Sequence, residues 1–349
     1  MLCLYVLAQP HTITARSSAH AAKLQQAARC FLDEYRDPRH NKGFRSRHSQ
    51  FGEDAVLLPT LLASAAATGG FGGRFVELGA LDGMSISNTF LLERCFDWQG
   101  VLIEANPTNF ARLQHSPRRA QKVHAAACPS GSITISAAAG PTSSQLDVSA
   151  WRNVSRYNVT VPCQTLRHIM HRELPKPHRA NFLSLDVEGA EAVVLSTVDP
   201  AEFDIIMVET GMGQSDGIAA KDAEVDRTIT AAGLVRAPTP LNVAASRVYV
   251  KPPARALPFC STSQWAKLSE SERAAASVIV PHRKYKDVWL PAPSLNETFL
   301  ASLLAAALGS SAPGGGGWPS NECECSRLQG LRCEEAAAAT ATAAMPSIR

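Results

Sequence analysis

Two apolar segments of the chain, one helix-length apart, each end at an acidic residue beside a loop. In the first segment, Phe75–Gly83, the apolar run leads into a loop that contains two glycines. In the second, Val101–Pro107, the apolar run ends at Glu104. A strand, a tight loop, a helix and a second strand begin a doubly wound α/β domain whose ligand carries a ribose. Because a carboxylate can accept two hydrogen bonds from a sugar diol, Glu104 is the predicted ribose ligand. The two segments therefore predict a nucleoside cofactor.

The chemistry of the first loop separates the cofactors that such a unit could bind. A dinucleotide site uses G-x-G-x-x-G at the start of a helix, because backbone N–H groups and the helix dipole must hold a pyrophosphate. Here the glycines are Gly79 and Gly83, with Glu77 and Asp82 beside them. Carboxylates repel a pyrophosphate but suit the ammonium and sulfonium groups of S-adenosylmethionine. The loop favours this methyl donor, while a plain strand-to-helix turn, an NAD-dependent Rossmann oxidoreductase and an inactive nucleoside-binding module remain as alternatives.

Two later segments repeat the pattern of an apolar strand that ends on an acid. Asp186 and Glu188 follow the strand in Asn181–Glu191, and Glu209 follows the one in Phe203–Gly211. The carboxyl ends of strands in an open α/β sheet form its ligand-binding edge. A hydroxyl that accepts a methyl group benefits from a general base. Asp186 is therefore the first candidate for the base or for positioning the acceptor, with Glu188 and Glu209 as the other candidate catalytic residues.

The chain contains six short motifs whose residues and order resemble those of the FkbM family of S-adenosylmethionine-dependent methyltransferases. The resemblance extends from about residue 48 to residue 251, which is somewhat over half of the chain. The sequence departs from the family pattern at Glu77, where the family often has Asp, and at Leu81, where many members have Asn. The motifs are His48–Asp54, Glu77–Gly83, Ser87–Thr89, Leu91–Glu93, Trp98–Pro107 and Leu185–Glu191.

This resemblance implies a class I methyltransferase fold, which is a Rossmann-like, doubly wound α/β sheet of seven strands with the last strand antiparallel. It also implies methyl transfer from S-adenosylmethionine, most often to an oxygen. The expected acceptor is a hydroxyl on a sugar, a lipid or a small molecule. The residues expected to bind the cofactor are Glu77, Gly79, Ala80, Asp82, Gly83, Asn88, Glu104, Ala105 and Asp186.

The hydrophobic pattern predicts the elements that position these residues. Apolar spacing near 3.6 residues predicts helices at 18–35, 52–67 and 222–232. Short apolar runs bounded by turn residues predict strands at 74–78, 100–104, 121–127, 181–186 and 203–209. Residues 234–236 and 247–250 are predicted to close the sheet as an antiparallel pair.

An insertion at 132–163 separates the third and fourth predicted strands. Loops above the ligand edge of such a sheet commonly contact the second substrate. The polar run from Ser143 to Asp147, together with Trp151, is therefore a candidate acceptor surface, or else a plain surface excursion. The acceptor itself, whether small molecule, glycan or lipid, is not specified by these residues.

Composition and low-complexity sequence divide the chain into three parts. Residues 1–44 form an N-terminal extension, 45–252 the methyltransferase-like domain, and 253–349 a C-terminal extension that we expect to be flexible after about residue 312. The apolar start at residues 1–8 is too short for a membrane span and makes a poor signal peptide. The formal charge of +3 comes from 34 basic and 31 acidic side chains without a basic block, so nucleic acid is not predicted as a partner.

The cysteines and histidines do not predict a metal site. Cys323, Cys325 and Cys333 offer three thiols, whereas a structural zinc site needs four ligands at recognisable spacings. Disulfides or free thiols are the alternatives for these three. His168 and His171 share one face of a predicted helix and are expected to be surface histidines.

Three N-glycosylation sequons begin at Asn153, Asn158 and Asn296. They favour a secretory route, but such triplets also occur by chance in chains of this length. The compartment and the oligomeric state therefore stay open at the level of sequence.

Overall fold

The computed structural model describes residues 15–37, 49–50, 52–67, 72–138, 156–209, 216–237 and 246–251. None of the helices within these ranges is both long enough and apolar enough to cross a bilayer. The helices are α1 (Ala15–Arg36), α2 (Glu53–Ala67), α3 (Phe90–Phe96), α4 (Pro107–His115), α5 (Leu166–Glu173), α6 (Glu191–Leu195) and α7 (Asp216–Ala231). The strands are β1 (Arg74–Leu78), β2 (Gln99–Glu104), β3 (Gln121–His124), β4 (Ala126–Ala127), β5 (Ser132–Ala138), β6 (Arg156–Gln164), β7 (Ala180–Leu185), β8 (Phe203–Glu209), β9 (Val235–Arg236) and β10 (Ser246–Val250).

The main sheet has seven strands in the order β3-β2-β1-β7-β8-β10-β9. Strands β3, β2, β1, β7 and β8 are mutually parallel, while β10 is antiparallel to both β8 and β9. The predicted sheet of seven strands with its last strand antiparallel is confirmed. Because the order reverses direction between β1 and β7, the ligand crevice of an open α/β sheet is expected at the carboxyl ends of these two strands.

Helices cover both faces of this sheet, as successive side chains of a strand point to opposite sides. Phe75 of β1 lies in a buried cluster with Phe31 of α1 and Leu61 of α2. The next residue, Val76, lies in a second cluster that includes Ile229 of α7. Burial of each such large apolar side chain stabilises the fold by about 1.5–3 kcal/mol. The two clusters hold the strand ends in fixed positions.

The predicted helix at 18–35 is confirmed as α1, and it packs on the sheet. A disulfide joins Cys30 of α1 to Cys95 of α3. The Tyr35 hydroxyl donates to the Asp54 carboxylate at 2.5 Å, and the Ser49 hydroxyl donates to the same carboxylate at 2.6 Å. Burial, with the neighbouring Asp54 charge, raises the pKa of Tyr35 well above its usual value. Asp54 therefore fastens α1 to the start of α2.

The predicted strand at 121–127 is wrong in its extent, because the structure divides it into β3 and β4. Strand β3 ends at His124, and the following residues leave the main sheet to pair with β6. A disulfide between Cys128 and Cys163 holds this second pairing. The divided strand thus connects the seven-stranded sheet to a three-stranded sheet of order β4-β6-β5.

The insertion predicted at 132–163 begins and ends as the antiparallel pair β5 and β6. The middle of the insertion, with Ser143, Gln145 and Trp151, lies outside the described residues. So does the whole chain after residue 251, including the cysteines near the C-terminus.

Candidate cofactor and active site

The parallel register brings residues from four strands to one level at the carboxyl edge of the sheet. In the pairing among these four strands, the last residues in register are Ile103, Leu78, Leu185 and Val208 on β2, β1, β7 and β8. One residue further along each strand stand Glu104, Gly79, Asp186 and Glu209, which we call the strand-end row. Neighbouring strands lie about 4.8 Å apart, so the length of the row is comparable to that of a small molecule. Four sequence segments, the farthest of them more than a hundred residues apart, therefore meet at one edge of the sheet.

The two loop glycines are required by the packing of the chain itself. Gly79 and Gly83 both have φ of 78°, a conformation that favours glycine. A Cβ on Gly79 would lie 2.0 Å from the carbonyl oxygen of Asp186, and one on Gly83 would lie 2.6 Å from Leu113 Cδ1. Both glycines were predicted to bind the cofactor. In the structure, they allow the loop to pack against β7 and α4.

Glu104 lies where a ribose ligand was predicted, at the end of β2. Its two carboxylate oxygens accept from the backbone N–H groups of Leu81, at 2.8 Å, and Asn106, at 2.7 Å. Burial raises the pKa of Glu104 to about 7, although these hydrogen bonds act in the opposite direction. The carboxyl group is therefore close to its midpoint of ionisation at neutral pH.

Ala80 and Ala105, which were predicted to bind the cofactor, form hydrogen bonds near the strand ends through their backbone atoms. The Ala80 N–H donates to the carbonyl oxygen of Ile103 at 3.2 Å, which extends the β1–β2 ladder into the loop. The Ala105 carbonyl oxygen accepts from His124 Nε2 at 3.1 Å. The His124 ring stacks on Phe110 with 4.8 Å between ring centroids. Two flat rings thus stand next to Glu104 at the end of β3.

Glu77 is buried beneath the loop and accepts hydrogen bonds from the chain. Its Oε2 accepts from the hydroxyl groups of Ser87, at 2.9 Å, and Thr89, at 2.5 Å. Its Oε1 accepts from the backbone N–H of Asn88 at 3.0 Å. Oε2 accepts from two side chains of the loop itself, so the geometry assigns Glu77 to shaping the loop.

Arg118 is a site residue that the sequence analysis missed. It is 5% exposed, and its guanidinium lies 3.9 Å from Glu77 Oε2 and 3.1 Å from Glu93 Oε2. It also donates to the carbonyl oxygen of Gly83 at 2.6 Å. An arginine in a loop between predicted elements is normally solvated, so its local sequence gave no signal. The only indirect signal was Glu77 and Glu93 within apolar segments, since buried carboxylates need a partner.

Asp82 and Asn88 were both predicted to bind the cofactor. They differ in whether their side-chain oxygens already have hydrogen-bond partners. The Asp82 carboxylate accepts from the backbone N–H of Met84 at 2.9 Å and from both the N–H and the hydroxyl of Ser85. Asn88 donates from Nδ2 to the Ser184 hydroxyl at 2.9 Å. Its Oδ1 is buried without a hydrogen-bond partner among the described residues. A ligand donor at this point would satisfy it.

Asp186 and Glu209 form a carboxyl pair in the strand-end row. Burial, and then a hydrogen bond with Glu209 and its negative charge, raises the pKa of Asp186 well above its usual value. The charges of Glu188 and Glu191 act in the same direction. A hydrogen bond between two carboxyl groups requires a shared proton. Asp186 therefore holds a proton more readily than a lone carboxyl group does.

Glu188 and Glu191 occupy different positions around this pair. Glu188 is exposed, in a left-handed conformation with φ of 55°. Glu191 is buried at the start of α6 and accepts from the Gly189 N–H at 2.9 Å. Of the three predicted catalytic acids, Asp186 and Glu209 are in contact, while Glu188 is exposed to solvent.

The predicted surface histidines lie on α5, away from the strand-end row. His168 is exposed, and His171 stacks on His178 with 4.8 Å between ring centroids. Within the described part of the chain, no group of three or more His, Cys, Asp or Glu side chains is arranged to hold a metal ion.

The strand order, the helices on both faces and the strand-end row define a class I methyltransferase fold. Residues 77–234 match the family described as the methyltransferase FkbM domain. This match covers somewhat under half of the chain and lies within the region whose motifs resemble the same family. No curated protein matches the sequence.

Solved structures with distant similarity include three methyltransferases or cofactor-bound proteins. Methyltransferase FkbM from Methylobacillus flagellatus KT is 11% identical, with a TM-score of 0.31 over 51% of this chain and 43% of that chain. The SAH-bound methyltransferase PaMTH1 from Podospora anserina is 12% identical, with a TM-score of 0.32 over 71% of this chain and 99% of that chain. Cofactor-bound Rv0187 from MTB is 13% identical, with a TM-score of 0.32 over 68% and 92%. At these scores the likeness does not assign an activity.

Proposed function

We propose that the FkbM domain binds S-adenosylmethionine along the strand-end row and transfers its methyl group to a hydroxyl of a small molecule, a glycan or a lipid. The observation that supports this most is the row itself. In this row the buried acid Glu104 lies on one side of Gly79, and the neighbouring acids Asp186 and Glu209 lie on the other. A ribose and a cationic group are the parts of this cofactor that such an arrangement fits.

The described residues fit the polar groups of this cofactor. Glu104 would accept hydrogen bonds from the ribose hydroxyls, since its carboxylate stands at the end of β2. Asn88 Oδ1 would accept from the ammonium group, which would satisfy a buried oxygen. The negative charge of Asp186 and Glu209 would favour the cationic end of the ligand. When bound, the cofactor supplies an electrophilic methyl group.

The loop carboxylates support this proposal less directly than the sequence suggested. The charge of Glu77 is offset by Arg118, and Asp82 is engaged by backbone N–H groups. Asp186 and Glu209 are further acids at the ligand edge, and they would add to the repulsion of a pyrophosphate.

The carboxyl pair also supports an oxygen acceptor. A hydroxyl becomes acidic as it gains a methyl group, and a carboxylate within hydrogen-bond reach can take its proton. Asp186 and Glu209 stand side by side in the strand-end row, so a carboxylate of this pair would take up that proton. The rest of the site would hold the acceptor oxygen in line with the methyl group and exclude water.

The binding half of this proposal is tested by calorimetry with S-adenosylmethionine, its demethylated product and NAD. We expect binding of the first two, and a loss of about 1.5–3 kcal/mol in binding free energy for Glu104→Ala, as for hydrogen bonds to a charged group. Glu224→Ala, which removes an exposed acid on α7, is the matched control. Undiminished binding by a folded Glu104→Ala protein would reject the site, and binding of NAD alone would favour an oxidoreductase.

The transfer half is tested with a cofactor that carries an isotopically labelled methyl group. The label is followed into a panel of free sugars, glycans, lipids and small alcohols, each matched to an amine analogue. We expect label on oxygen in the hydroxyl compounds. Label only on nitrogen would overturn the oxygen assignment. Binding without any transfer would indicate an inactive nucleoside-binding module.

A further inference from the structure

The sequon Asn158–Thr160 lies on the outer face of β6. The side chains of Asn158 and Thr160 are exposed, Val159 is half-buried and Val161 is buried. This is the alternation of a strand with one face toward the protein and one toward solvent. The side-chain amide of Asn158, to which a glycan would be attached, is therefore on the solvent side.

The opposite face of β6 points toward the FkbM domain. The hydroxyl of Tyr157 lies 3.1 Å from the hydroxyl of Thr108 on α4, which follows Glu104 in the chain. Since Asn158 is the next residue, its side chain points away from α4 and from the strand-end row. A bulky group on Asn158 would leave the candidate cofactor site open.

Two disulfides in the described residues indicate the compartment in which the chain folds. Cys30–Cys95 and Cys128–Cys163 close separations of 65 and 35 residues, with Cα–Cα distances of 5.5 and 5.1 Å. Both distances are within the range that a disulfide spans. Disulfides form and persist in oxidising compartments such as the endoplasmic reticulum lumen. Cys163 is on the same strand as Asn158, so both side chains meet the same compartment.

We infer that Asn158 is N-glycosylated. In this step Nδ2 of Asn158 forms a bond to the anomeric carbon of an oligosaccharide, and the carbon–oxygen bond to the diphosphate of a lipid-linked oligosaccharide donor breaks. The lipid diphosphate leaves, and the side-chain amide loses one proton. The step needs no oxidant or reductant, and it is independent of the methyl transfer proposed above.

Mapping of the native protein, purified from its own cells, tests this inference directly. Trypsin cleaves after Arg152, Arg156 and Arg167, so Asn153 and Asn158 fall in different peptides. The peptide with Asn158 also contains Cys163, and without reduction it stays linked to the peptide that contains Cys128. Release of the glycan by peptide N-glycosidase in heavy-oxygen water converts a glycosylated Asn to labelled Asp.

We expect a disulfide-linked peptide pair with labelled Asp at position 158. An unmodified Asn158 in a protein whose Cys128–Cys163 disulfide is formed overturns the inference. Free thiols at Cys128 and Cys163, with Asn158 unmodified, overturn it as well. Neither result bears on the cofactor site, so the proposed function is judged separately.

Variants of the full chain, expressed in a eukaryotic secretory host, identify the attachment site. Asn158→Gln and Thr160→Ala should both lose one glycosidase-sensitive step in gel mobility, because each destroys the sequon. Thr160→Ser preserves the sequon and should retain that step. Retention of the step by both Asn158→Gln and Thr160→Ala would show that the glycan is elsewhere.

Discussion

Glu77 and Asp186 lie at the carboxyl ends of two adjacent parallel strands, yet their surroundings are opposite. Glu77 accepts hydrogen bonds from hydroxyl and N–H groups and lies 3.9 Å from the guanidinium of Arg118. Asp186 faces Glu209, with Glu188 and Glu191 nearby. A carboxylate with a buried cation keeps its charge and holds a loop in place. A carboxyl group surrounded by other carboxylates has a raised pKa and can exchange a proton.

This difference sets how each acid affects stability. The folded-state pKa of Asp186 is above its unfolded value, so ionisation of Asp186 is disfavoured by folding. Its contribution to stability is fully present below the unfolded pKa and is lost as pH rises through the folded value. Glu77 owes its place to a cation and to neutral donors, so removal of the cation is the damaging change there.

The largest effect is expected from Asp186→Asn. If Asp186 takes the acceptor proton, turnover should fall about 10²–10⁴-fold, while cofactor affinity stays near normal. The variant should also lose less stability than the wild type as pH rises, because the raised-pKa group is gone. Single-turnover kinetics, calorimetry and urea unfolding at several pH values measure these quantities.

Glu224→Gln, at an exposed position on α7, is the control for this change. Loss of cofactor binding in Asp186→Asn would contradict the assignment and show that Asp186 holds the cofactor. The base would then be Glu188 or Glu209.

Arg118→Met tests the other side of the comparison. Removal of the guanidinium leaves Glu77 and Glu93 buried without it, which should lower the free energy of unfolding by about 3–5 kcal/mol. Arg172→Met removes a more exposed arginine paired with Glu173 and should cost no more than about 1 kcal/mol. Urea unfolding compares the two variants. Equal, small losses would mean that the loop does not depend on Arg118.

The pH dependence of cofactor affinity gives a smaller effect. Because burial raises the pKa of Glu104 to about 7, its carboxylate becomes protonated as pH falls through neutrality. A protonated carboxyl group has lost acceptor capacity, so affinity should fall by up to about tenfold per pH unit below this value. Glu104→Gln should abolish this dependence, and Asp97→Asn, at an exposed position, should leave it unchanged. Calorimetry from pH 6 to 8 would contradict the assignment if wild type and Glu104→Gln showed the same slope.

The smallest effect is expected from Glu191→Gln. The Glu191 charge contributes to the raised pKa of Asp186, and a glutamine carbonyl can still accept from the Gly189 N–H. The ascending limb of the turnover–pH profile should therefore move to lower pH by less than about one unit. Glu224→Gln on α7 is the control. An unchanged profile would separate Glu191 from the pair.

Local pattern predicted most of the secondary structure. Helix α2 was predicted at 52–67 and observed at Glu53–Ala67, while β1 was predicted with its observed limits. These elements have a regular apolar period and clear glycine boundaries, both of which are local properties. The strand at 121–127 was wrong in extent, because pairing with β6 and the Cys128–Cys163 disulfide redirect its second half. No short window of sequence contains those contacts.

The sequence by itself determined the sheet, its family resemblance and the acids that end its strands, since each depends on residue type and short spacing. Only the tertiary structure decided which of these acids lies beside a positively charged side chain. Arg118 reaches Glu77 from a loop 41 residues later in the chain, whereas Asp186 meets Glu209 across neighbouring strands. Ionisation and hydrogen bonding depend on distance in space and on burial. Acids near the ends of neighbouring strands can therefore acquire different functions only when the chain has folded.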